Sequence, residues 1–505
     1  WLHFSIHDRM TRAIIVGAGG GGLAAALELA NSGFDVMVLE SHIYAGGCAG
    51  TFYHKKYRFD AGATLAGGFK ENGPMDIIAN RFDIDWKGRV DDIGIKVHLK
   101  GHPCITRRID EKAWKKERFE QFGTSGEKFW KWQENTADLL WDLALRYPPW
   151  PPKKFKDFQD LWKIIQDTAG FSGKSGNLRK FLHLGHDALR PLRYKLEGVS
   201  EKMRRFIDAQ LLIAAQTTSV HANALYSAAA LDLSRQGVIH PEGGMGGICN
   251  QMVEKLREKK AKVLFKKEIS KLIWDGKRFH GVETKRGERF EADIIILNLT
   301  MGNVAKLMAD SSFRSKTLQA SPPGDGWGAF MVYAGVDTSA VKHLEGLHHQ
   351  LVNDQPLGNG NSIFLSISPE WDKTRAPENR RAITLSTHTS MKQWWDLFQK
   401  NPEAYEKEKE NMCGKMLAAT DSIIPGFRDS ADLVMTGTPI TFQRFTKRSH
   451  GWVGGYPQTN LFRARSPYLA PGLRMVGDSI FPGQSLAAVS MGGMRVGREI
   501  SNEMS

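Results

Sequence analysis

The feature that most constrains the fold is a glycine-rich turn near the start of the chain, between an apolar run and a helix-forming run. The run RAIIV (residues 12–16) leads directly into GAGGGG, and LAAALELANSG follows. Gly17, Gly19 and Gly22 fit the pattern G-x-G-x-x-G, in which the glycines allow a tight turn, close approach of a pyrophosphate, and helix-to-strand packing. The N-terminus of the following helix favours phosphate charge. The pattern predicts a strand–turn–helix unit that binds a dinucleotide.

A second apolar run, FDVMVLE, ends in Glu40. An acid at this distance from the glycines accepts hydrogen bonds from a ribose diol, and it disfavours a 2′-phosphate. NADP is therefore disfavoured, while NAD and FAD both stay open at this point.

A second glycine-rich stretch separates NAD from FAD. AGGCAGTF (45–52) supplies Gly46 and Gly47, and YRFDAGATLAGGF (57–69) supplies Gly62. An NAD-binding unit usually continues here with its next helix and strand. Extra glycines at this point favour FAD, a bulky cofactor that is enclosed by the chain. The alternative is that Gly46 and Gly47 only form a loop.

The last segment contains a third glycine-rich turn. Leu473 to Val476 is an apolar run that ends in Gly477 and Asp478, and a small-residue helix containing Ala488 is predicted to begin at about Ser485. Asp478 could accept a hydrogen bond from a ribityl hydroxyl, and the start of the helix could stabilise negative charge on a reduced flavin. Alternatively, Asp478 is only a turn residue.

Three blocks of the chain resemble carotenoid desaturases and isomerases that use FAD. The opening GAGGGGLAAALELANSGFDVMVLE…AGGCAGTFYHKKYRFDAGAT is similar to their FAD-binding start, with Gly-Gly-Cys where phytoene desaturases have Gly-Gly-Arg. RFTKRSHGWVGGYPQ is similar to carotenoid 3,4-desaturases, and GLRMVGDSIFPGQ to carotenoid isomerases and retinol saturases. The resemblance further implies that the backbone around Ile269 contacts the adenine, and that Asn298 lies where a second segment closes the cofactor domain.

The predicted fold class is α/β: a discontinuous Rossmann-type FAD-binding domain with an inserted α+β substrate domain. A chain of 505 residues is too long for one compact core. The FAD-binding domain is predicted to comprise residues 10–95, 235–310 and 440–505, and the substrate domain residues 96–234 and 311–439.

The net charge and the amino-acid composition restrict the classes of molecule that this protein could bind. The net charge of +14 favours an anionic partner, but no nucleic-acid motif is present. Tryptophans interleaved with Lys and Arg over residues 112–165 suit either a structural helical domain or a region that docks on a membrane. The four scattered cysteines argue against a disulfide framework or a zinc ribbon, and no metal site is predicted. We expect a cytoplasmic, peripherally membrane-associated protein, and interpret residues 1–9 as an upstream extension.

The sequence assigns no catalytic residue. His221, His240 and Glu242 are acid–base candidates, but each has a structural explanation at least as good. The resemblance implies chemistry on a carotenoid or another polyene lipid. Desaturation by hydride transfer to flavin N5, with reoxidation by a quinone or oxygen, is preferred on the RFTKRSHGWVGGYPQ block. Isomerisation with reduced FAD, retinol saturase-like reduction, and prenyl binding without redox chemistry (as in GDP-dissociation inhibitors of this fold) are the alternatives. An amine oxidase is also formally possible.

Overall fold

The computed structural model describes residues 10–168, 184–309, 311, 313 and 326–504. Residues 1–9, the expected upstream extension, lie outside the described part. In chain order the strands are β1 (Arg12–Val16), β2 (Asp35–Leu39), β3 (Thr51–His54), β4 (Tyr57–Asp60), β5 (Ala66–Gly67), β6 (Gly88–Val90), β7 (Ile93–Leu99), β8 (Ile105–Arg108), β9 (Val238–Pro241), β10 (Lys262–Leu264), β11 (Ile269–Trp274), β12 (Phe279–Thr284), β13 (Arg289–Glu291), β14 (Ile294–Leu297), β15 (Trp327–Asp337), β16 (His348–Val352), β17 (Ser362–Ile367), β18 (Arg380–Ser390), β19 (Ala431–Gly437), β20 (Tyr468–Ala470) and β21 (Leu473–Met475).

These strands form five sheets, and helices pack on the two largest of them. In chain order they are α1 (Gly20–Asn31), α2 (Pro74–Phe82), α3 (Glu111–Leu145), α4 (Phe155–Thr168), α5 (Glu201–Ala215), α6 (Ala224–Ala230), α7 (Met245–Glu258), α8 (Met301–Ala309), α9 (Thr338–Val341), α10 (Met391–Lys400), α11 (Pro402–Asp421), α12 (Phe427–Ser430), α13 (Pro439–Thr446) and α14 (Leu486–Met504). A helical turn over residues 184–188 lies between α4 and α5.

A six-stranded sheet in the order β10-β2-β1-β14-β21-β20 forms the first domain. Its pairs are parallel except for β20 with β21. The continuous apolar run of β1 reflects burial on both faces, as expected for a parallel sheet. Ala13 and Ile15 face a core formed with α1, α2, α7 and α14, while Ile14 and Val16 face β11–β13 and α8.

Distant parts of the chain build this sheet, because β1 and β2, then β10 and β14, and finally β20 and β21 come together. The predicted fold class, a discontinuous Rossmann-type domain with an inserted substrate domain, is confirmed. The exact domain limits stay predictions. The limit at residue 95 falls inside β7, which pairs with β16 and β8 in the second sheet.

The second sheet has seven strands in the order β19-β15-β18-β17-β16-β7-β8. Side chains alternate between its two faces. On β15, Phe330 and Val332 pack against α10 and α11, whereas Ala329 and Met331 face the opposite way, toward a large cavity. Helices α3, α5 and α6 pack around the far wall of that cavity.

Asp60 ties the two domains together. Its Oδ1 accepts hydrogen bonds from Thr51 Oγ1 (2.7 Å) and from the backbone N–H of Met245 (2.8 Å), at the start of α7. Its Oδ2 accepts from Arg375 Nη2 at 2.9 Å, and both side chains are buried. The β3–β4 hairpin, a cofactor-domain helix and a substrate-domain loop therefore share one buried charge pair.

The backbones of α1 and α14 are in direct contact where the two helices cross. A Cβ atom added at Gly493 would lie 2.1 Å from the carbonyl oxygen of Gly21, and one at Gly497 would lie 2.8 Å from Cβ of Glu28. Only glycine allows this contact, which holds the start of the C-terminal helix against the glycine turn.

We predict that Gly493→Ala lowers the free energy of unfolding by about 1–3 kcal/mol, because the new methyl group overpacks a contact with rigid backbone. Gly414→Ala is the matched control, since Gly414 also lies inside a helix but a Cβ there meets no atom within 4 Å. The control should be neutral or slightly stabilising, because alanine favours helix. Denaturant unfolding measures both, and equal stabilisation of the two variants would contradict the prediction.

Candidate functional site

The glycine turn after β1 lies directly against Asn298. Gly17 has φ +100°, and a Cβ there would lie 2.8 Å from the carbonyl oxygen of Asn298. A Cβ at Gly22 would lie 2.4 Å from the carbonyl oxygen of Gly17. Asn298 Nδ2 donates to that same oxygen at 3.3 Å. Gly17, Gly19 and Asn298 line the cavity, whereas Gly22 lies beneath the turn and packs α1 on the strand.

Glu40 lies beside the turn at the end of β2. Its Oε2 accepts the backbone N–H of Ala18 at 2.8 Å, and its Oε1 accepts that of His42 at 2.7 Å. The carboxylate is largely buried and lines the cavity. Oε1 also accepts from Ser41 Oγ at 3.1 Å, whereas Oε2 has one hydrogen bond and keeps acceptor capacity for a ribose hydroxyl.

The second glycine pair forms the next part of the same wall. Gly46 has φ +111°, and a Cβ there would lie 2.7 Å from Cα of Gly50. Its N–H donates to the carbonyl oxygen of Ala18 at 2.8 Å, which joins this loop to the first turn. Gly46, Gly47 and Gly62 all line the cavity.

Asp478 forms an ion pair that the sequence did not predict. Gly477 and Asp478 line the cavity, and Asp478 Oδ2 accepts from Arg448 Nη2 at 2.5 Å. Burial alone would lower the pKa of Arg448, but the charge of Asp478 outweighs it and raises the pKa above the ordinary arginine value. Arg448 lies inside the RFTKRSHGW block, where no spacing rule indicates its partner. Asp478 is thus held rigidly at the cavity wall.

The C-terminal helix and β11 complete the predicted set. Ala488 lines the cavity, and its N–H donates to Ser485 Oγ at 3.1 Å. Ile269 does not line the cavity, and it begins β11 just after Lys267, whose N–H donates to the carbonyl oxygen of Glu40 at 2.8 Å. The adenine contact at Ile269 therefore stays a prediction.

These residues fit FAD. The glycine turn and Glu40 suit its pyrophosphate and ribose, and three separate chain segments enclose the same space. Among the described residues, buried polar atoms without a partner also lie here: His42 Nδ1 and Gln484 Oε1 belong to residues that line the cavity. A buried polar atom without a hydrogen bond is costly, which is consistent with a polar ligand that completes the site.

The part of the cavity lined by the glycine turn, Glu40 and Asp478 is called the cofactor end, and the cavity continues beyond it. Its volume is about 730 Å³, and its lining is mostly apolar. One wall is the inner face of the seven-stranded sheet, with Met331 and Phe364, and the opposite wall includes Trp141, Phe206 and Leu212.

Few charged or titratable groups reach the apolar part. Glu40 and Asp478 are the only carboxylates among the described lining residues, and both lie at the cofactor end. His388 projects from β18, and burial lowers its pKa to about 4, so its imidazole is neutral at neutral pH. Arg107, on β8, is a buried cation in the lining. Sequence reasoning missed both residues, because strand pairing alone brings them to the cavity.

The earlier acid–base candidates lie elsewhere. His221 and Glu242 are exposed, and His240 Nε2 pairs with Asp91 Oδ2 at 2.9 Å. None of the three lines the cavity.

Most of the tryptophan-rich pattern belongs to the protein interior. Trp114 and Trp130 are buried in the core around α3 and α5, and Trp141 and Trp150 line the cavity. Trp162 is exposed, on α4. Most of these tryptophans therefore have a structural role, because helical packing turns their rings inward, and membrane docking by this region stays a prediction. Among the described helices, none is both long enough and apolar enough to cross a bilayer.

Comparisons with known proteins identify the family of this chain. The family described as flavin containing amine oxidoreductase matches residues 21–424. Prolycopene isomerase 2 of an Oncidium hybrid cultivar is 26% identical, covering 97% of this chain and 84% of the relative. All-trans-retinol 13,14-reductase of Danio rerio is 22% identical, with 88% and 77% covered. The solved structure of an oxidoreductase from Methanosarcina mazei superposes with a TM-score of 0.60 at 16% identity, covering 96% and 99% of the two chains, and shares the fold.

The chain belongs to the flavin-containing amine oxidoreductase family. It is an FAD-dependent enzyme, and the predictions of FAD and of enzymatic activity are confirmed. The resemblance to carotenoid isomerases is confirmed by the relatives. The individual cofactor-binding residues stay predictions.

We expect Glu40→Ala to weaken FAD retention at least about tenfold, because it removes hydrogen bonds to a charged acceptor, each of which contributes about 1.5–3 kcal/mol. The ratio of flavin to protein absorbance after dialysis measures the loss. Glu242→Ala is the control, since Glu242 is exposed and outside the cavity. Full retention of FAD by Glu40→Ala would show that Glu40 does not contribute to FAD binding.

Proposed function

We propose that this member of the flavin-containing amine oxidoreductase family acts on the double bonds of a long conjugated polyene lipid of the carotenoid type. The observation that carries the proposal is the apolar cavity that begins at the glycine turn and continues along the seven-stranded sheet. The names of two relatives, a prolycopene isomerase and a retinol reductase, describe polyene substrates and support it.

The length of the cavity wall suits such a substrate. The wall runs from β15 to β8 across five strand-to-strand steps, which is roughly 24 Å at the usual strand spacing. A rigid, extended polyene can lie along such a face with little loss of conformational entropy.

The distribution of charged groups in the cavity disfavours an amine as the substrate. A protonated amine needs an anionic or strongly polar partner when it is desolvated. The carboxylates among the described lining residues, Glu40 and Asp478, lie at the cofactor end, and Asp478 is already paired with Arg448. The apolar part instead contains the cation Arg107.

In this proposal, the protein binds and orients the polyene and excludes water from it. FAD, when bound, supplies the electron transfer that these reactions require. Aromatic and aliphatic side chains hold the polyene in one register, and such positioning can provide much of the rate. Because the family contains a flavin, the alternative of a prenyl-binding protein without redox chemistry is disfavoured.

Cis–trans isomerisation is the first candidate reaction. Prolycopene isomerases are similar to this chain over 97% of its length. Isomerisation produces no net proton or electron transfer, and it therefore requires little acid–base equipment in the apolar part of the cavity.

Desaturation is the second candidate, and His388 favours it. Removing two hydrogens as hydride and proton requires a group that takes the proton, and a neutral imidazole can do so. Among the described lining residues the histidines are His42, beside Glu40 at the cofactor end, and His388, on the substrate sheet. The electrons of a net desaturation would pass on to a quinone or to oxygen.

We also propose that α4 docks on an anionic lipid surface, from which a polyene could enter. Phe155, Phe158 and Trp162 share one face of this helix and are 78%, 54% and 47% exposed. Leu161 and Ile165 of the same helix line the cavity. Exposed lysines surround this docking face and complement anionic headgroups: Lys153, Lys154, Lys156 and Lys163. A cytoplasmic location stays a prediction.

Incubation with carotenes in liposomes tests the reaction. With reduced FAD and a poly-cis carotene, we expect a product of unchanged mass and altered chromatographic retention, which indicates isomerisation. With oxidised FAD, a product lighter by two hydrogens and absorbing at longer wavelength would indicate desaturation instead. Absence of both products with every carotene and every linear polyene acid tested would contradict the polyene proposal.

The variant His388→Phe separates the two reactions. General-base catalysis contributes about 10²–10⁴-fold, so a desaturation that uses His388 should slow by at least about a hundredfold. An isomerisation should keep its rate to within a few-fold. Flavin content checks that the variant retains its site, and an unchanged desaturation rate would exclude His388 as the base.

The variant Phe155→Ser/Phe158→Ser/Trp162→Ser should lose most co-sedimentation with vesicles of phosphatidylcholine and phosphatidylserine, because it removes the apolar docking face. Phe398→Ser is the control, since Phe398 is 44% exposed on α10, away from the cavity lining. Equal vesicle binding by both variants and the wild type would rule out α4 as the docking element.

A further inference from the structure

The buried side chain of Arg107 has few partners for a cation. It projects from the edge strand β8 and is 5% exposed. Its one hydrogen bond among the described residues runs from Nη2 to the carbonyl oxygen of Leu231 at 3.5 Å, the outer limit for such a bond. Its guanidinium carbon lies 4.1 Å from the ring centroid of Trp114 and 5.9 Å from that of Trp130. Most of its five N–H groups therefore have no hydrogen-bond acceptor among the described residues.

The other buried arginines of the described chain with strong partners are paired with carboxylates or, in the case of Arg381, donate to a backbone carbonyl oxygen, that of Ser368. Arg118 pairs with Glu127 and Glu134, and Arg375 pairs with Asp60. Arg107 forms no such pair within the described residues. Since a buried charge without a partner is strongly unfavourable, its presence in the cavity lining suggests a partner that is not part of the chain.

Asp232 does not fill this role. It is fully buried and acts on Arg107 through its charge, but its oxygens accept from Arg235 Nε (2.7 Å), Gln236 Nε2 (2.7 Å) and Gln133 Nε2 (3.3 Å). Burial lowers the pKa of Arg107 to about 10 despite this field, so the guanidinium is still charged at neutral pH.

The position of Arg107 defines what it could bind. Ile95, opposite Arg107 in the β7–β8 register, also lines the cavity, as do Trp130 and Leu231. β8 is the outermost strand of the wall, roughly 24 Å from β15 by strand spacing. An extended substrate that reached the cofactor end would place its far terminus here.

We propose that Arg107 anchors a carboxylate at the end of the polyene, so that the substrate class is a linear polyene acid rather than a hydrocarbon. This inference rests on the proposed function. A guanidinium binds a carboxylate through two parallel N–H···O bonds, which also fixes the register of the chain in the cavity. A site with such a group discriminates against analogues that lack the acceptor, because the buried cation is then left unpaired.

The test uses the FAD-loaded protein and parinaric acid, a fluorescent linear tetraene acid, with its methyl ester as the matched neutral ligand. Energy transfer from tryptophan reports binding at neutral pH, where the acid is ionised. We expect the wild type to bind the acid at least about tenfold more tightly than the ester, as charge-assisted hydrogen bonds require. Arg107→Met should abolish this preference and keep the affinity for the ester, whereas Arg107→Lys should keep part of it.

Arg118→Met is the matched control, because Arg118 is also buried beside Trp130 but does not line the cavity. It should keep the preference for the acid. Equal binding of acid and ester by the wild type, or an unchanged preference in Arg107→Met, overturns this inference and leaves the polyene proposal intact. If neither ligand binds, both proposals fail. The comparison of the two ligands on the wild type decides the outcome even if a variant does not fold.

Discussion

The architecture depends on the close contact between α1 and α14. Gly493 approaches the backbone of Gly21 so closely that any side chain would collide with it. This contact joins the first helix of the chain to its last, and it places the turn at Gly477 and Asp478 against the glycine turn at Gly17. The cofactor end of the cavity exists only because segments separated by most of the chain meet there.

Buried charges fix the remaining geometry. Asp60 with Arg375 holds the hairpin and α7 against the substrate domain, and Arg448 with Asp478 fixes the carboxylate at the cavity wall. Each pair satisfies the desolvated charges of both partners, so the loss of one partner would leave a costly unpaired charge. Arg107 lacks such a partner within the part of the chain that the structure describes, which makes it the most informative charged group of the apolar cavity.

The cavity has an apolar wall because the side chains of the seven-stranded sheet alternate between its two faces. One set of side chains packs under α10 and α11, and the other set forms a long apolar wall. The helices that close the opposite side use their tryptophans mainly for packing. The helix α4 combines exposed aromatic rings, flanking lysines and side chains that reach the cavity, so a lipid surface and a polyene site would meet at that helix.

The amino-acid sequence was sufficient to predict the cofactor domain. Gly17, Gly19, Gly22 and Glu40 are close along the chain, and their spacing directly encodes a strand, a turn, a helix and an acid. It also predicted the fold class and FAD, because those signals are local. The tertiary structure alone decided the pairing of Asp478 with Arg448, the burial of Trp114 and Trp130, and the arrival of Arg107 and His388 at one cavity. Those features depend on strand order and helix packing between distant segments, and no spacing along the chain records which side of a sheet or helix will face a partner.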